Sequence, residues 1–410
     1  MSGVHGSLPE DHAAAARTRA EVREPLFTVP FLLLSTATFA FFAAEAMLFP
    51  LLPRLVREAG APGLAGLAIG ATSITALLGR PLAGQLAGRG RDRGMLLIGA
   101  AGYAVVAVGV LVTHAPVALI ALRGLQGAAL AVFYAAVSTT LTALSPASRR
   151  GEAFSHWSTS IYLGIGGGPV LSEWLAGRGG TTAVAIGDLT LALLALVLVL
   201  GVPRQAAAAA ADAPRGALLH RGTFFPAACL GLCGIGWGVG VTFVPLRADE
   251  LGLSGASAYF AAFGLGVVGV RIGSARLSDR FGRAVVVAPG LALGAAGMAL
   301  LAPARSVAAL AAGGALYGAG YGLVFPGLMA YITDRVPAAE RGPALATYAM
   351  SLDLAIGSGP LLLGPLAGGL GYQGLFLVAA GLGLVGLGVF LVGARRQGTL
   401  RLGPPAGPVG

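Results

Sequence analysis

Runs of twenty or more apolar residues recur along the whole chain, separated by short polar turns. They fall at about 26–52, 63–86, 95–113, 117–143, 156–176 and 181–203. After a break they resume at about 222–246, 256–275, 284–303, 307–332, 343–368 and 374–394. At 1.5 Å per residue, runs of this length cross the roughly 30 Å hydrocarbon core of a bilayer. Only helices and closed barrels satisfy the backbone in lipid, and runs this long are helices. The pattern predicts an all-α integral membrane protein with twelve transmembrane helices in two six-helix bundles. The bundles span 26–203 and 222–394, with a polar tail at 1–25, a connector at 204–221 and a second tail at 395–410. Residues 1–25 are polar and Ala-rich and lack the apolar core and cleavage site of a signal peptide. The first helix is therefore expected to be a retained span.

Composition narrows the class further. Of 410 residues 56% are hydrophobic and 11% charged, against about 25% charged in soluble domains, and the mean hydropathy is +0.81. The formal net charge of +10 raises the question of a nucleic-acid partner. All 27 basic residues are Arg, and their placement answers it. Nineteen lie in the tails, connector and loops on the side of both termini, among them Arg89, Arg276, Arg280 and Arg283; five lie on the other side, and Arg80, Arg123 and Arg271 lie within helices. That bias is the positive-inside signature. It predicts a multi-pass protein of the bacterial cytoplasmic membrane with both termini cytoplasmic, whose partner is the lipid bilayer and not nucleic acid. Cys229 and Cys233 share one helix face and staple no loop.

The two halves match at a constant offset of 191 residues. Arg80 pairs with Arg271, Leu86 with Leu277, Pro146 with Pro337, Arg150-Gly151 with Arg341-Gly342, and Gly168-Pro169 with Gly359-Pro360. Six helices repeated in the same orientation form a parallel repeat about an axis along the membrane normal. Such repeats place a substrate site near the midplane between the halves, opened alternately by rocking.

Several motifs sit on this frame. The loop after the eighth segment reads Ala275-Arg276-Leu277-Ser278-Asp279-Arg280-Phe281-Gly282-Arg283, and the first-half loop reads Gly84-Gln85-Leu86-Ala87-Gly88-Arg89-Gly90-Arg91. The fourth segment carries Arg123-Gly124-Leu125-Gln126-Gly127, the fifth Gly164-x-x-x-Gly168-Pro169, the tenth Gly322-x-x-x-Pro326 and the eleventh Ser351-Leu352-Asp353-Leu354. On these motifs the chain resembles the major facilitator superfamily, in particular its bacterial proton-coupled efflux-type members, over essentially its whole length. The loops are similar to its G-x-L-x-D-R-x-G-R motif, with Gly88 where the first-half acid belongs, and Arg123–Gly127 is similar to its R-x-x-Q-G motif. The fifth segment is similar to the antiporter motif but has Ser172 and Glu173 where that motif ends in two glycines. The resemblance implies that helices 1, 4, 7 and 10 line the cavity.

An ionisable group at the bilayer centre costs roughly 2.5–3.5 kcal/mol even on the lenient insertion scale, so each one calls for a reason. Glu45 in the first segment and Arg123 in the fourth lie at similar depth in the outer half, and the resemblance makes them neighbours. They form either a proton switch or a permanent ion pair. Asp353, whose repeat mate is Tyr162, is either a second protonation site or a buried acid bonded across a helix interface. Glu173 and Asp188 read as reaching the interface, and Arg80 and Arg271 as snorkelling to headgroups. Phe41, Gln126, Trp237, Tyr317, Tyr321 and Phe325 are candidates for the cavity wall, suited to an apolar, aromatic or cationic substrate. Asp279, Arg280, Arg283 and Arg89 are candidates for a cytoplasmic gate in which Asp279 caps the start of the fifth helix near Ser155 and Trp157. Gly168, Pro169, Gly359 and Pro360 mark expected helix kinks.

No nucleotide loop and no metal-spaced His or Cys cluster is present in the sequence, so neither a cofactor, a metal nor an enzyme activity is expected. The expectation is a secondary transporter whose partners are protons and a small molecule, working as a monomer and exporting a drug-like or metabolite substrate. The alternatives are proton-linked uptake of a sugar or organic acid, and a non-transporting sensor or scaffold on the same helices.

Overall fold

The computed structural model describes residues 25–396, apart from 88, 147–148, 205–219, 282 and 338–339. Every regular element among them is helical. Helix α1 (Val29–Glu58) begins at Thr28, whose hydroxyl accepts from the Phe31 amide. It is followed by α2 (Ala65–Leu86), α3 (Asp92–Val112) and α4 (Pro116–Leu144). The next segment, Arg150–Leu200, has 51 residues and would be about 77 Å long if straight. It is broken at Gly179 and at Gly180, which has φ 63° and ψ −157°. That conformation is open to glycine almost alone. Residues 150–178 (α5) and 181–200 (α6) therefore fold back on each other, bringing Gly187 against Leu175.

The second half repeats the sequence of elements: α7 (Phe224–Glu250), α8 (Ser257–Phe281), α9 (Ala284–Leu301), α10 (Val307–Thr333), α11 (Arg341–Leu363) and α12 (Ala367–Arg396). Its break falls at Gly371, with φ 64° and ψ 172°, the repeat mate of Gly180. Nine helical segments among the described residues are long and apolar enough to cross a bilayer, against the twelve expected. The difference is local. The α5–α6 and α11–α12 pairs run together as apolar segments of 51 and 53 residues, and the apolar stretch Ser257–Arg271 of α8 is shorter.

The halves also pack alike. In the first, α1 lies along α5, α2 along α4, and α3 along α4 and α6; in the second, α7 lies along α11, α8 along α10, and α9 along α10 and α12. Between the halves α2 packs on α11, α5 on α8, and α1 meets α7. The buried core of the second half continues into the first through Phe49, Ile69 and Tyr162. Helices in lipid gain little from apolar burial, so close approach of backbones at small residues holds the bundles.

Helical dihedrals continue through Gly168-Pro169 and Gly359-Pro360, while non-helical backbone appears at Gly179, Gly180 and Gly371. What Gly168 and Gly359 provide is contact: a Cβ would stand 2.3 Å from the Ala43 carbonyl oxygen of α1 and 2.9 Å from that of Ile235 in α7, respectively.

Gly127, the last residue of the R-x-x-Q-G motif, is tighter still. Its Cβ would lie 2.0 Å from the Thr72 carbonyl oxygen and 2.1 Å from Thr75 Oγ1. Gly127→Ala must push α2 and α4 apart, at an overpacking cost of about 1–3 kcal/mol. A lowered midpoint of thermal unfolding in detergent is the expected result; an unchanged midpoint would show that the two helices are not packed at this distance.

Candidate functional site

The first bundle encloses a polar cluster in the half remote from the termini. Arg123 of α4 is 2% exposed. Its Nε donates to the Ala68 carbonyl of α2 at 3.2 Å, its Nη1 donates to Gln126 Oε1, and its own carbonyl accepts from Thr72 Oγ1 at 3.1 Å. The three-residue spacing of Arg123 and Gln126 places both on one helix face. Asp188 of α6 is fully buried; its Oδ1 accepts from the Tyr103 hydroxyl of α3 at 2.9 Å, and its Oδ2 has no partner among the described residues. Glu45 of α1, 8% exposed, lies within electrostatic reach of both Arg123 and Asp353. Arg123 in turn feels Glu45, Tyr103 and Asp188.

Glu45 and Arg123 share one cluster, with no ion pair between them among the described residues. The cluster also contains Asp188, which the sequence reading had placed at the membrane surface. One buried guanidinium therefore shares this cluster with two buried carboxylates.

The interface between the bundles holds the other intramembrane charges. Arg80 of α2 donates from both Nε and Nη2 to the two carboxylate oxygens of Asp353 in α11, the second bond at 2.9 Å, and its guanidinium lies 5.3 Å from the Tyr134 ring centre. Arg271 of α8 donates from Nη1 to Ser158 Oγ and from Nη2 to the Tyr162 hydroxyl of α5 at 3.4 Å, with its guanidinium 4.5 Å from the Tyr162 ring centre. Snorkelling is therefore corrected for both arginines: each reaches across to the opposite half. The repeat is kept in these contacts, since Arg80 meets Asp353 where Arg271 meets the mate Tyr162. Asp353 is held by a cation of the other bundle, a partner that helical spacing alone does not reveal.

Aromatic rings fill the seam above these pairs. Trp237 of α7 stacks on Phe263 at 4.0 Å and meets Phe49 of α1 at 6.3 Å. Tyr321 of α10 lies 6.2 Å from Tyr162, and Phe325, half-buried, lies 6.1 Å from Tyr321 and 5.5 Å from Tyr348. The other cavity candidates sit elsewhere. Phe41 stacks on Phe133 at 4.3 Å inside the first bundle, and Tyr317 turns into the second, its hydroxyl donating to the Cys233 carbonyl at 2.6 Å. Gln126 belongs to the Arg123 cluster.

At the ends opposite the termini an ion network crosses the seam. Arg54 donates to both oxygens of Asp249 at 3.0 and 2.8 Å, Arg57 adds a bond to Asp249 at 2.9 Å, and Arg54 lies 3.8 Å from Glu173. Ser257 donates to Glu173 Oε2 at 2.6 Å. These side chains are about a quarter exposed, so each contact is worth little alone. Together they close this side. Helical spacing does not reveal this network; its signal in the sequence is Arg54 and Arg57 near the end of one helix and Asp249 and Glu250 near the end of its counterpart in the other half.

On the terminus side, Arg283 pairs with Asp334 at 3.0 Å within its own half, and Arg89 is exposed. The side chains of Asp279 and Arg280 lie outside the described residues, so their gate role stays an expectation. Trp157 donates to Thr38 Oγ1 of α1 at 3.0 Å.

Comparison with known proteins places this architecture. The family described as Major Facilitator Superfamily matches residues 34–311 and 273–407. An uncharacterized MFS-type transporter of Salmonella typhimurium is 29% identical over 335 residues, 80% of this chain and 86% of that one. Among solved structures, a POT family transporter in complex with a thioalcohol-conjugated peptide aligns with a TM-score of 0.72 at 13% identity, over 90% of this chain and 96% of that one. The nucleoside transporter NupG aligns with a TM-score of 0.69 at 14% identity, over 88% and 99%. The chain belongs to the Major Facilitator Superfamily and is a multi-pass membrane transporter of the secondary type.

Proposed function

We propose that the chain couples proton movement to the export of a small drug-like or metabolite molecule by alternating access. The observation that carries this reading is the Glu45–Arg123–Asp188 cluster. With both acids ionised it holds one buried positive and two buried negative charges; one proton makes it neutral. Since each charge at this depth costs several kcal/mol, the cluster favours a single bound proton shared between its two acids. Glu45, which also senses Asp353 across the seam, is the member through which a proton or substrate in the passage communicates with the cluster. Arg80–Asp353 and the outer network of Arg54, Arg57, Asp249 and Glu173 then act as contacts made and broken as the bundles rock.

Export is favoured over uptake by the antiporter-like Gly164-x-x-x-Gly168-Pro169 of α5, whose glycines lie against the α1 backbone close to Glu45. The test is proton movement in liposomes of the purified protein under an imposed pH gradient, with candidate solutes added in turn. Solute-dependent proton flux running opposite to the solute is the expected result. Flux with no solute of a broad panel would defeat coupling, and flux in the same direction as the solute would replace export by uptake.

A further inference from the structure

We propose that Arg271 and the groove beside it bind the carboxylate of an amphiphilic organic acid, and that such monoanions are substrates. This rests on the reading of the chain as a transporter. The argument starts from the repeat. Arg80 and Arg271 are mates at the 191-residue offset, as are Asp353 and Tyr162, and the structure places each arginine on the other's equivalent partner. Arg80 is neutralised by a two-bond carboxylate pair. Arg271 occupies the same position and, among the described residues, donates only to the hydroxyls of Ser158 and Tyr162.

A guanidinium offers five N–H donors. Here Nε is buried with no partner, the Nη2 bond is long at 3.4 Å, and no acidic side chain pairs with Arg271 among the described residues. A cation left in this state between helices is costly. The group that matches its fork is a carboxylate, bound through two parallel bonds. For Arg80 of the first half that carboxylate is built into the chain as Asp353 of the second. For Arg271 of the second half the equivalent position is Tyr162 of the first, and the carboxylate is left to a ligand.

The room for the rest of such a ligand adjoins it. Tyr162, whose ring lies under the guanidinium, is also one wall of a groove of about 550 Å³ between α5 and α8. Ligand pockets commonly enclose about 300–1,000 Å³. Gly166 and Gly264 form its floor, since a Cβ on Gly166 would stand 3.3 Å from Gly264 Cα, and Val170, Trp174 and Leu265 form apolar walls. Leu265 and Trp174 are exposed on the lipid-facing side. An apolar body enters there from the bilayer while its head group reaches Arg271. The groove lining contains no charged residue, and among the described residues Arg271 is the cation that Tyr162 joins to it, so the site suits a monoanion rather than a phosphate.

The experiment is thermal unfolding of the detergent-purified protein with a panel of aryl and straight-chain carboxylates, 4-phenylbutyrate among them, each compared with its amide and its amine. A saturable rise in the midpoint with carboxylates and not with amides or amines is expected. Arg271→Gln should weaken apparent affinity at least tenfold, and Arg271→Lys less. Tyr162→Asp supplies the missing carboxylate on the pattern of Asp353. It should fold with a midpoint at or above the parent's and lose the ligand-dependent rise. The proposal is overturned if no carboxylate in the panel shifts the parent protein, if amines shift it instead, if the shift survives both Arg271→Gln and Tyr162→Asp, or if added phosphatidylglycerol alone produces the full shift so that carboxylates add nothing. Binding is read here without transport. Solute-linked proton flux that persists while these shifts are absent would defeat this site and leave the transport reading standing.

Discussion

Glu45→Gln is expected to reduce proton-driven transport to less than a tenth of the parent rate while leaving solute exchange at equal pH intact. Gln keeps the size and hydrogen-bonding capacity of Glu but cannot gain or lose a proton. If the cluster of Glu45, Arg123 and Asp188 cycles between one proton and none, fixing Glu45 in a neutral form removes the member that senses both Arg123 and Asp353. Exchange needs only the rocking of the bundles and survives. Asp188→Asn is the informative companion. Asp188 is fully buried behind Tyr103, so it stands one step further from the passage than Glu45, and its loss should slow proton release and not abolish coupling. Measurement of solute-linked pH change in proteoliposomes separates these outcomes. Full proton-driven transport in Glu45→Gln with its loss in Asp188→Asn would transfer the coupling role to Asp188.

The intramembrane charges show what a sequence of this kind carries and what it does not. The repeat of Arg80 and Arg271 is legible because a constant offset is a property of the chain alone. So is the turn between α5 and α6, where Gly180 adopts backbone angles closed to other residues, as its repeat mate Gly371 does. The partner of a charged side chain is different in kind. Which neighbour Arg80 meets depends on how α2 rotates against α11, and a shift of one residue turns a helix by about 100°. The positions read as snorkelling therefore turn out to face a carboxylate in one half and a tyrosine in the other. Asp188 was misplaced for a related reason. Counting from the helix end gives its depth but not that it points inward, toward Tyr103 of α3. Phe41 and Tyr317, candidates for the cavity wall by sequence, pack on Phe133 and on the Cys233 carbonyl, inside their own bundles. Their helices present different faces to the seam at different heights.

The pair across the seam gives the second large effect. Asp353→Asn leaves the Arg80 guanidinium without its carboxylate at a position where the side chains are 23% and 10% exposed. Removing one partner of a buried pair costs roughly 3–5 kcal/mol because the other charge stays unpaired. Partial access of Arg80 to solvent lowers this to about 2–3 kcal/mol. The expected result is a drop of several degrees in the midpoint of thermal unfolding. Arg80→Gln, which leaves a lone carboxylate able to take up a proton, should cost less. Joined in one protein, the two substitutions remove both charges and leave two amides able to bond each other, so the double variant should recover most of the loss. That non-additivity is the signature of direct contact. Simple addition of the two losses would mean that Arg80 and Asp353 are held by other groups and that the seam between α2 and α11 is not closed by this pair. The comparison also bears on the equivalent position: if neutralising Arg80 together with Asp353 is well tolerated, the fold does not require a cation here, and the retention of Arg271 without a carboxylate must be explained by what Arg271 binds.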